Sequence, residues 1–407
     1  MSGLRDDDHV IVVGAGLAGW RFVESLRREG FSGSVTMVGD EDRAPYDRPP
    51  LSKQCLSGKW PLDRVGLASG EQLRDSRATV RLGQRVTGLD VDAATVRLDD
   101  GAVLTGSHVV LAVGARARPL TFASWGPVDT LRTYDDAERL GRRVASLSPG
   151  DAVGVIGGGF LGAEIATSLR ARGLRPIVFE AAAEPLLAAV GPEAAHWLHR
   201  LAGEGGVELR TSQRLVDVAP SDGGATIDVG DASIEVAAVV AAVGSSLDLD
   251  WLEGSGIPLD DGVVVDGNLL ASPRVAAIGD VARFSMTVAG VQELVRVEHW
   301  QVAAEHAARL ARHWMNVESD EVPMVPYFWS DQYGKKIQML GHPDPSDHVV
   351  RVSGDPDDGR WLALYSRREI VTGALALSHP RALMLAKVLL DSPTSLGDAL
   401  ERAPWAH

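Results

Sequence analysis

The chain carries one glycine-rich signature twice. Val10-Ile-Val-Val-Gly14-Ala-Gly16-Leu-Ala-Gly19 lies near its start, and Val153-Gly-Val-Ile-Gly157-Gly-Gly159-Phe-Leu-Gly162 repeats it further on. In each, an apolar run suited to a buried parallel strand leads into the glycines, and a helical pattern follows (Trp20 to Arg28; Ala163 to Arg172). The spacing gives each glycine a task. The first permits the tight turn, and the second lets backbone N–H groups reach a pyrophosphate. The third lets the helix pack close to the strand with its positive end toward the phosphates. One such run is weak evidence, because glycine turns also serve packing. Two in matching strand–turn–helix context constrain the chain to an α/β fold with two dinucleotide sites, most economically one for a flavin and one for a nicotinamide.

The repeat extends beyond the glycines. In the first half, Ser34 to Val38 reads as the second strand, followed by small strands at Val86 to Val91 and Thr95 to Leu98. A buried strand then ends in a glycine turn, His108-Val-Val-Leu-Ala-Val-Gly114. The second half repeats this order with Pro176-Ile-Val-Phe-Glu180, Thr226 to Val229, and Ser233 to Val243 ending at Gly244. A whole nucleotide-binding unit is therefore duplicated. Arg43 to Lys53 reads as a structured loop, because its prolines exclude a helix interior. Val275-Ala-Ala-Ile-Gly279-Asp280 is another strand ending in Gly-Asp. His299 to Met315 is a helix with Val302, Ala303, Leu310 and Trp314 along one side. After Pro323, aromatic residues from Tyr327 to Tyr365 fall in strand-like runs and a last helix spans about 380–390, which marks a third, α+β domain.

The strand-end acid selects the nucleotide. Glu180 stands where an adenosine ribose is hydrogen-bonded; it repels a 2′-phosphate, and Ala181-Ala-Ala183 offers no arginine to receive one. This favours NADH over NADPH. In the first half that position is Gly39, with Asp40 next, so Asp40 is the displaced ribose candidate. Gly279-Asp280, just before a helix, can set a carboxylate against a flavin's ribityl hydroxyls, although Gly-Asp alone often only makes a turn.

Composition closes off other classes. A formal charge of −15 argues against nucleic acid as the main ligand. The longest apolar stretch, Val236 to Val243, is too short to span a bilayer, and the amino terminus lacks a signal-peptide pattern. The single cysteine excludes a CxxC redox pair and fits a reducing cytoplasm. The histidines show no metal-binding spacing, so no metal is expected.

The two fingerprints, Pro45-Tyr-Asp-Arg-Pro-Pro-Leu-Ser-Lys53, Leu131-Arg-Thr133, Ala277-Ile-Gly-Asp280, Val295-Arg-Val-Glu-His-Trp300 and Phe328-Trp-Ser-Asp-Gln332 together resemble the FAD-dependent ferredoxin–NAD(+) reductases of bacterial oxygenase systems. The likeness runs from about residue 9 to about 350. It implies two Rossmann-like dinucleotide-binding domains plus an α+β C-terminal domain: FAD at 1–122 and 245–325, NAD at 123–244, and a C-terminal reductase domain at 326–407. It further implies electron transfer from NADH through FAD to an iron–sulfur ferredoxin that serves an oxygenase, in a cytoplasmic monomer or weak dimer. By the same resemblance Gly14, Gly16, Ala18, Gly19, Asp40, Arg48, Lys53, Val86, Arg132, Gly279, Asp280 and Trp300 line FAD. Gly157, Gly159, Gly162 and Glu180 hold NAD.

Lys53 and Glu164 are the catalytic candidates at the flavin–nicotinamide contact. Lys53, in a proline-stiffened segment, can fix a cation near flavin N5. Glu164, in the first turn of its helix, can pair with Lys53, touch the carboxamide, or simply be a favourable first-turn acid. Trp300 is equally a helix-start core aromatic, and Arg132 equally a salt-bridge residue. Cys55 falls two residues from where a related branch places a redox cysteine, and reads as a small half-buried residue. Lys335, Lys336, Arg367 and Arg368, with Arg43 and Arg48, are the candidates for a basic docking patch. Two rival activities share the nucleotide domains, rubredoxin reduction and NADH oxidase or peroxidase chemistry. A rival of another class is an apoptosis-inducing-factor-like protein that senses NADH.

Overall fold

A computed structural model describes residues 3–120, 128–317 and 324–406, which fall into two compact units. The expected domain boundary at 122–123 lies outside the described residues. The first unit comprises Met1–Asp47, Gly66–Arg116 and Leu247–Pro326; the second comprises Arg48–Val65, Ala117–Ser246 and Tyr327–His407.

The first unit is built on a six-stranded sheet. Its central strand His9–Val13 pairs in parallel with Ser34–Val38 on one side and His108–Leu111 on the other. Val10, Ile11, Val12, Val109, Val110 and Leu111 are all buried. Buried β-branched runs of this kind suit a parallel strand covered on both faces. Two helices, in contact with each other, and the small antiparallel strands with Val86, Val96 and Leu98 pack into the same core. Leu17–Arg28 buries Trp20, Phe22, Val23 and Leu26, and Trp300–Trp314 buries the four apolar side chains expected of it. The Trp314 ring meets Phe22 edge-on at 5.5 Å. Each fully buried side chain of this size contributes about 1.5–3 kcal/mol.

The second unit holds a five-stranded parallel sheet, in which Ala152–Ile156 lies between Arg175–Phe179 and Ala238–Ala241. The helix Phe160–Ala171 follows the second fingerprint. The same unit contains a five-stranded antiparallel sheet running from Tyr327–Gln332 to Ile370–Leu377, with short helices at Pro380–Ala386 and Leu396–Arg402. Among the described residues no helix is long and apolar enough to cross a membrane.

Three local expectations change. The basic segment is not wholly a loop: Pro49 and Pro50 open a helical turn that continues as a π-helix over Leu51–Cys55. Prolines are tolerated there because a first turn has no partner for its N–H groups. The run Ser233 to Val243 splits at Ala237 into an antiparallel strand and a buried parallel one. The helix Leu187–His199 was not expected, because Gly191-Pro192 interrupts its pattern; Gly191 takes φ 76° and kinks it.

Candidate functional site

The two fingerprints can be tested for what their glycines leave room to do. Gly14 and Gly157 take φ of 117° and 104°, and a Cβ on either would sit 2.2 or 2.4 Å from the carbonyl oxygen of Ala112 or Ala242. At Gly19 and Gly162 a Cβ would fall 2.0 Å from the carbonyl of the first glycine, so each helix lies hard against its turn. At Gly16 and Gly159 nothing stands within 4 Å of the Cβ position. These middle glycines are the N-caps of the two helices, and neither helix has a side-chain cap. Each helix start is therefore open on the side where its backbone donors and dipole favour an anion. The space fits a dinucleotide pyrophosphate at both places.

The strand-end acids differ for a steric reason. Gly14 and Gly157 donate to the carbonyls of Val38 and Phe179, which makes Gly39 and Glu180 equivalent. A Cβ on Gly39 would stand 2.6 Å from the Ala15 methyl, so no side chain fits and the carboxylate moves to Asp40. In the second unit Gly158 replaces the alanine, and Glu180 lies over it. Glu180 Oε2 accepts from the Gly158 N–H at 2.7 Å and Oε1 from the Ala182 N–H at 2.8 Å. Arg210 pairs in register with Phe179 and lies over its ring, on the strand face opposite Glu180. Asp40 is paired with Arg116 at 2.7 Å, and Arg116 also reaches Asp248; sequence reasoning passed over this arginine.

Within the first unit, Gly279 takes φ 72° against the first turn of the fingerprint helix, where its Cβ would stand 3.0 Å from that of Ala18. Its N–H reaches Nδ1 of the buried His306 at 3.3 Å. Asp280 carries its carboxylate toward the Gly114 turn. Trp300 begins its helix and donates from Nε1 to Asp47 at 2.8 Å, while Val86 is buried at the start of a small antiparallel strand.

Within the second unit, Lys53 and Glu164 meet. The Lys53 Nζ lies 2.7 Å from Glu164 Oε2, with the two side chains only 12% and 7% exposed. The Ser52 hydroxyl donates to Oε2 at 2.6 Å and the Ser330 hydroxyl to Oε1 at 2.6 Å. An ionised carboxylate is an acceptor only, and here it faces donors on both oxygens. Lys53 belongs to the π-helical turn, a rare geometry that concentrates at functional sites. Arg48, just before that turn, donates to the carbonyl of Arg132 at 2.6 Å. Arg132 directly precedes Thr133, the N-cap of the helix Tyr134–Ala145. Burial pushes the Cys55 thiol up to about 11.

Ser52, Ser330 and Gln332 were not singled out from the sequence. Their signal is slight: Phe328, Ser330 and Gln332 alternate along one strand, so two polar residues share the inward face with an aromatic ring. The basic patch needs correction. Register places Lys335 and Lys336 beside the start of the strand Arg360–Arg367, with Arg367 and Arg368 at its far end, about 20 Å away at the usual rise per residue. Lys336 is also paired with Asp331, and Arg367 with the buried Asp347. The four do not form one patch.

The sequence profile described as "Pyridine nucleotide-disulphide oxidoreductase" matches residues 8–307, and that described as "Reductase C-terminal" matches 327–403. Rhodocoxin reductase of Rhodococcus erythropolis is 36% identical over 395 residues, covering 95% of this chain and 90% of that protein. The anthranilate 1,2-dioxygenase system ferredoxin–NAD(+) reductase component of Burkholderia cepacia is 34% identical over 361 residues, covering 86% of each. Among solved structures, the covalent putidaredoxin reductase–putidaredoxin complex superposes with a TM-score of 0.89 at 28% identity, over 95% of this chain and 94% of that one.

Proposed function

This chain belongs to the pyridine nucleotide-disulphide oxidoreductase family, and from that premise we propose that it is an FAD-dependent, NADH-oxidising reductase whose electron acceptor is a ferredoxin of an oxygenase system. The observation that carries the choice of nucleotide is Glu180, held on the Gly158 and Ala182 N–H groups at the lip of the second fingerprint. A fixed carboxylate there accepts the hydroxyls of an adenosine ribose and opposes a phosphate.

FAD, when bound, would supply the redox chemistry, two-electron acceptance from NADH and one-electron donation to an iron–sulfur centre. The chain's own part is placement and field. Gly14, Gly16 and Gly19 shape the first pyrophosphate cradle, with Ala18, Asp40, Val86, Gly279, Asp280 and Trp300 as the proposed FAD residues of the first unit. Gly157, Gly159, Gly162 and Glu180 receive NADH. Arg48 and Arg132 keep the FAD-lining role that the resemblance gives them. Lys53 and Glu164 keep the role the sequence suggested, a fixed cation and its counter-carboxylate for the redox groups. The domain assignment, with FAD at 1–122 and 245–325 and NAD at 123–244, belongs to the same reading, as do a cytoplasmic location and a monomer or weak dimer.

The test is direct. The purified chain should be yellow with about one FAD per chain, bleach with NADH under anaerobic conditions, and then reduce an added ferredoxin. A colourless protein that cannot be reconstituted with FAD would end this reading. Rapid oxygen consumption without ferredoxin, at a rate above ferredoxin reduction, would favour the oxidase rival instead.

A further inference from the structure

The second fingerprint helix is held from both sides inside its unit. On one side Ser168 donates from Oγ to the carbonyl of Ser52, next to Lys53, at 2.6 Å. On the other side Phe160, Glu164 and Thr167, one helical face by their spacing, meet the strand Tyr327–Gln332. The Phe160 and Phe328 rings stand 4.5 Å apart, Ser330 donates to Glu164, and the Tyr333 N–H donates to Thr167 Oγ1 at 2.9 Å.

The Ser330 contact has a fixed direction. Gln332 donates from Nε2 to Ser330 Oγ at 3.0 Å. With its oxygen occupied as an acceptor, the hydroxyl proton is left to Glu164 Oε1, 2.6 Å away. Ser330 is fully buried and Gln332 2% exposed, so water does not compete for either bond. Ser330 and Gln332 are both buried on one strand face, and their hydrogen bonds run in series to Glu164.

We infer that Ser330, aimed by Gln332, is a positioning residue that fixes the Glu164 carboxylate and through it the Lys53 ammonium. The strand after residue 326 therefore completes the charge pair assigned to the redox step, in addition to any part in docking a partner. This rests on the function proposed above. It acts on orientation and not on nucleotide affinity, because Glu180 and the fingerprint glycines hold the adenosine half of NADH separately.

The experiment uses the FAD-loaded full chain and stopped-flow reduction by NADH. Ser330→Ala should lower the limiting rate of flavin reduction about tenfold, as loss of a buried charge-assisted hydrogen bond requires. NADH affinity and FAD content should stay within about twofold. Ser330→Thr, which keeps the hydroxyl, should recover most of the rate, and Gln332→Met should cost about threefold. In a Glu164→Gln background Ser330→Ala should add less than a twofold effect, since the two changes act on one element. Isotope-edited infrared spectra give a readout independent of turnover: Ser330→Ala should shift a carboxylate band that Glu164→Gln abolishes. If Ser330→Ala fails to fold, the Gln332→Met rate and band shift decide the matter. An unchanged rate and band, or an equal tenfold loss in the Glu164→Gln background, would overturn the inference. A parent chain that NADH does not reduce would instead overturn the proposed function.

Discussion

His306 gives the fold a pH dependence that can be worked out in advance. The side chain is fully buried, its Nδ1 accepts the Gly279 N–H, and its Nε2 has no hydrogen-bond partner among the described residues. Phe284 closes on the ring edge-to-face at 4.6 Å. Burial first, and then the nearby Arg309 charge, lower its pKa from 6.5 to about 3. The unfolded chain therefore binds the proton before the folded one does. The stability from keeping His306 neutral is complete above the unfolded value near 6.5 and is lost progressively as pH falls toward 3. At 1.36 kcal/mol per unit, the loss has reached about 2 kcal/mol at pH 5. In the folded chain protonation comes only near pH 3, where it would place a donor opposite the Gly279 N–H that now has an acceptor. His306→Asn keeps an acceptor near Nδ1 and removes the titration. The assay is urea unfolding of parent and variant at pH 8, 7, 6 and 5. The variant should be weaker at pH 8 by about 1–2 kcal/mol for the lost packing, and the gap should close by about 2 kcal/mol at pH 5. Stability curves that stay parallel across this range would refute the reasoning, since every other titrating group is common to both chains.

Three further outcomes follow from the site. NADH should be preferred over NADPH by at least about tenfold, because a carboxylate and a phosphate at close range repel by more than the roughly 1.4 kcal/mol this requires; Glu180→Ala should narrow the ratio, and equal efficiencies in the parent would show that Glu180 does not set it. Cys55→Ser should keep flavin reduction and ferredoxin turnover within about twofold, since a half-buried thiol held near 11 is almost wholly protonated at neutral pH; loss of turnover with FAD retained would move the reading toward a peroxidase. Ferredoxin reduction should weaken with added salt while NADH reduction of the flavin does not; a reaction indifferent to salt would place docking on apolar contacts.

What the sequence made legible is what local geometry dictates. A glycine that must take φ above 100°, or where an added Cβ would stand 2.0 Å from a carbonyl oxygen, admits no other residue, so Gly14, Gly19, Gly157 and Gly162 announce their turns by identity alone. The helix face of Val302, Ala303, Leu310 and Trp314 was equally plain, because burial on a helix writes a period into the residues. The support for Glu164 was not legible. Ser330 lies 166 residues further along, and its alternation with Phe328 and Gln332 tells only which way it faces, not what stands opposite. The basic residues misled for a related reason: nearness of Arg367 to Arg368 and of Lys335 to Lys336 is sequential, while antiparallel register sends the two pairs to opposite ends of one strand.

The duplicated unit shows how one local exchange separates two cofactor sites built on the same plan. The residue between the first two glycines and the residue at the end of the second strand face each other, and together they have room for only one side chain. Ala15 takes the space in the first unit, which forces Gly39 and moves the acid one position on, where Asp40 engages Arg116. Gly158 yields the space in the second, where a Cβ would stand 3.0 Å from Glu180 Oε2, and its bare N–H becomes the donor that fixes that carboxylate. The departure at Gly39 is therefore not a degraded motif but the complement of Ala15. Read as pairs, 15 with 39 and 158 with 180, the four residues make the second site the one with an acid locked at its lip, and leave the first site's acid free to answer to a different set of neighbours.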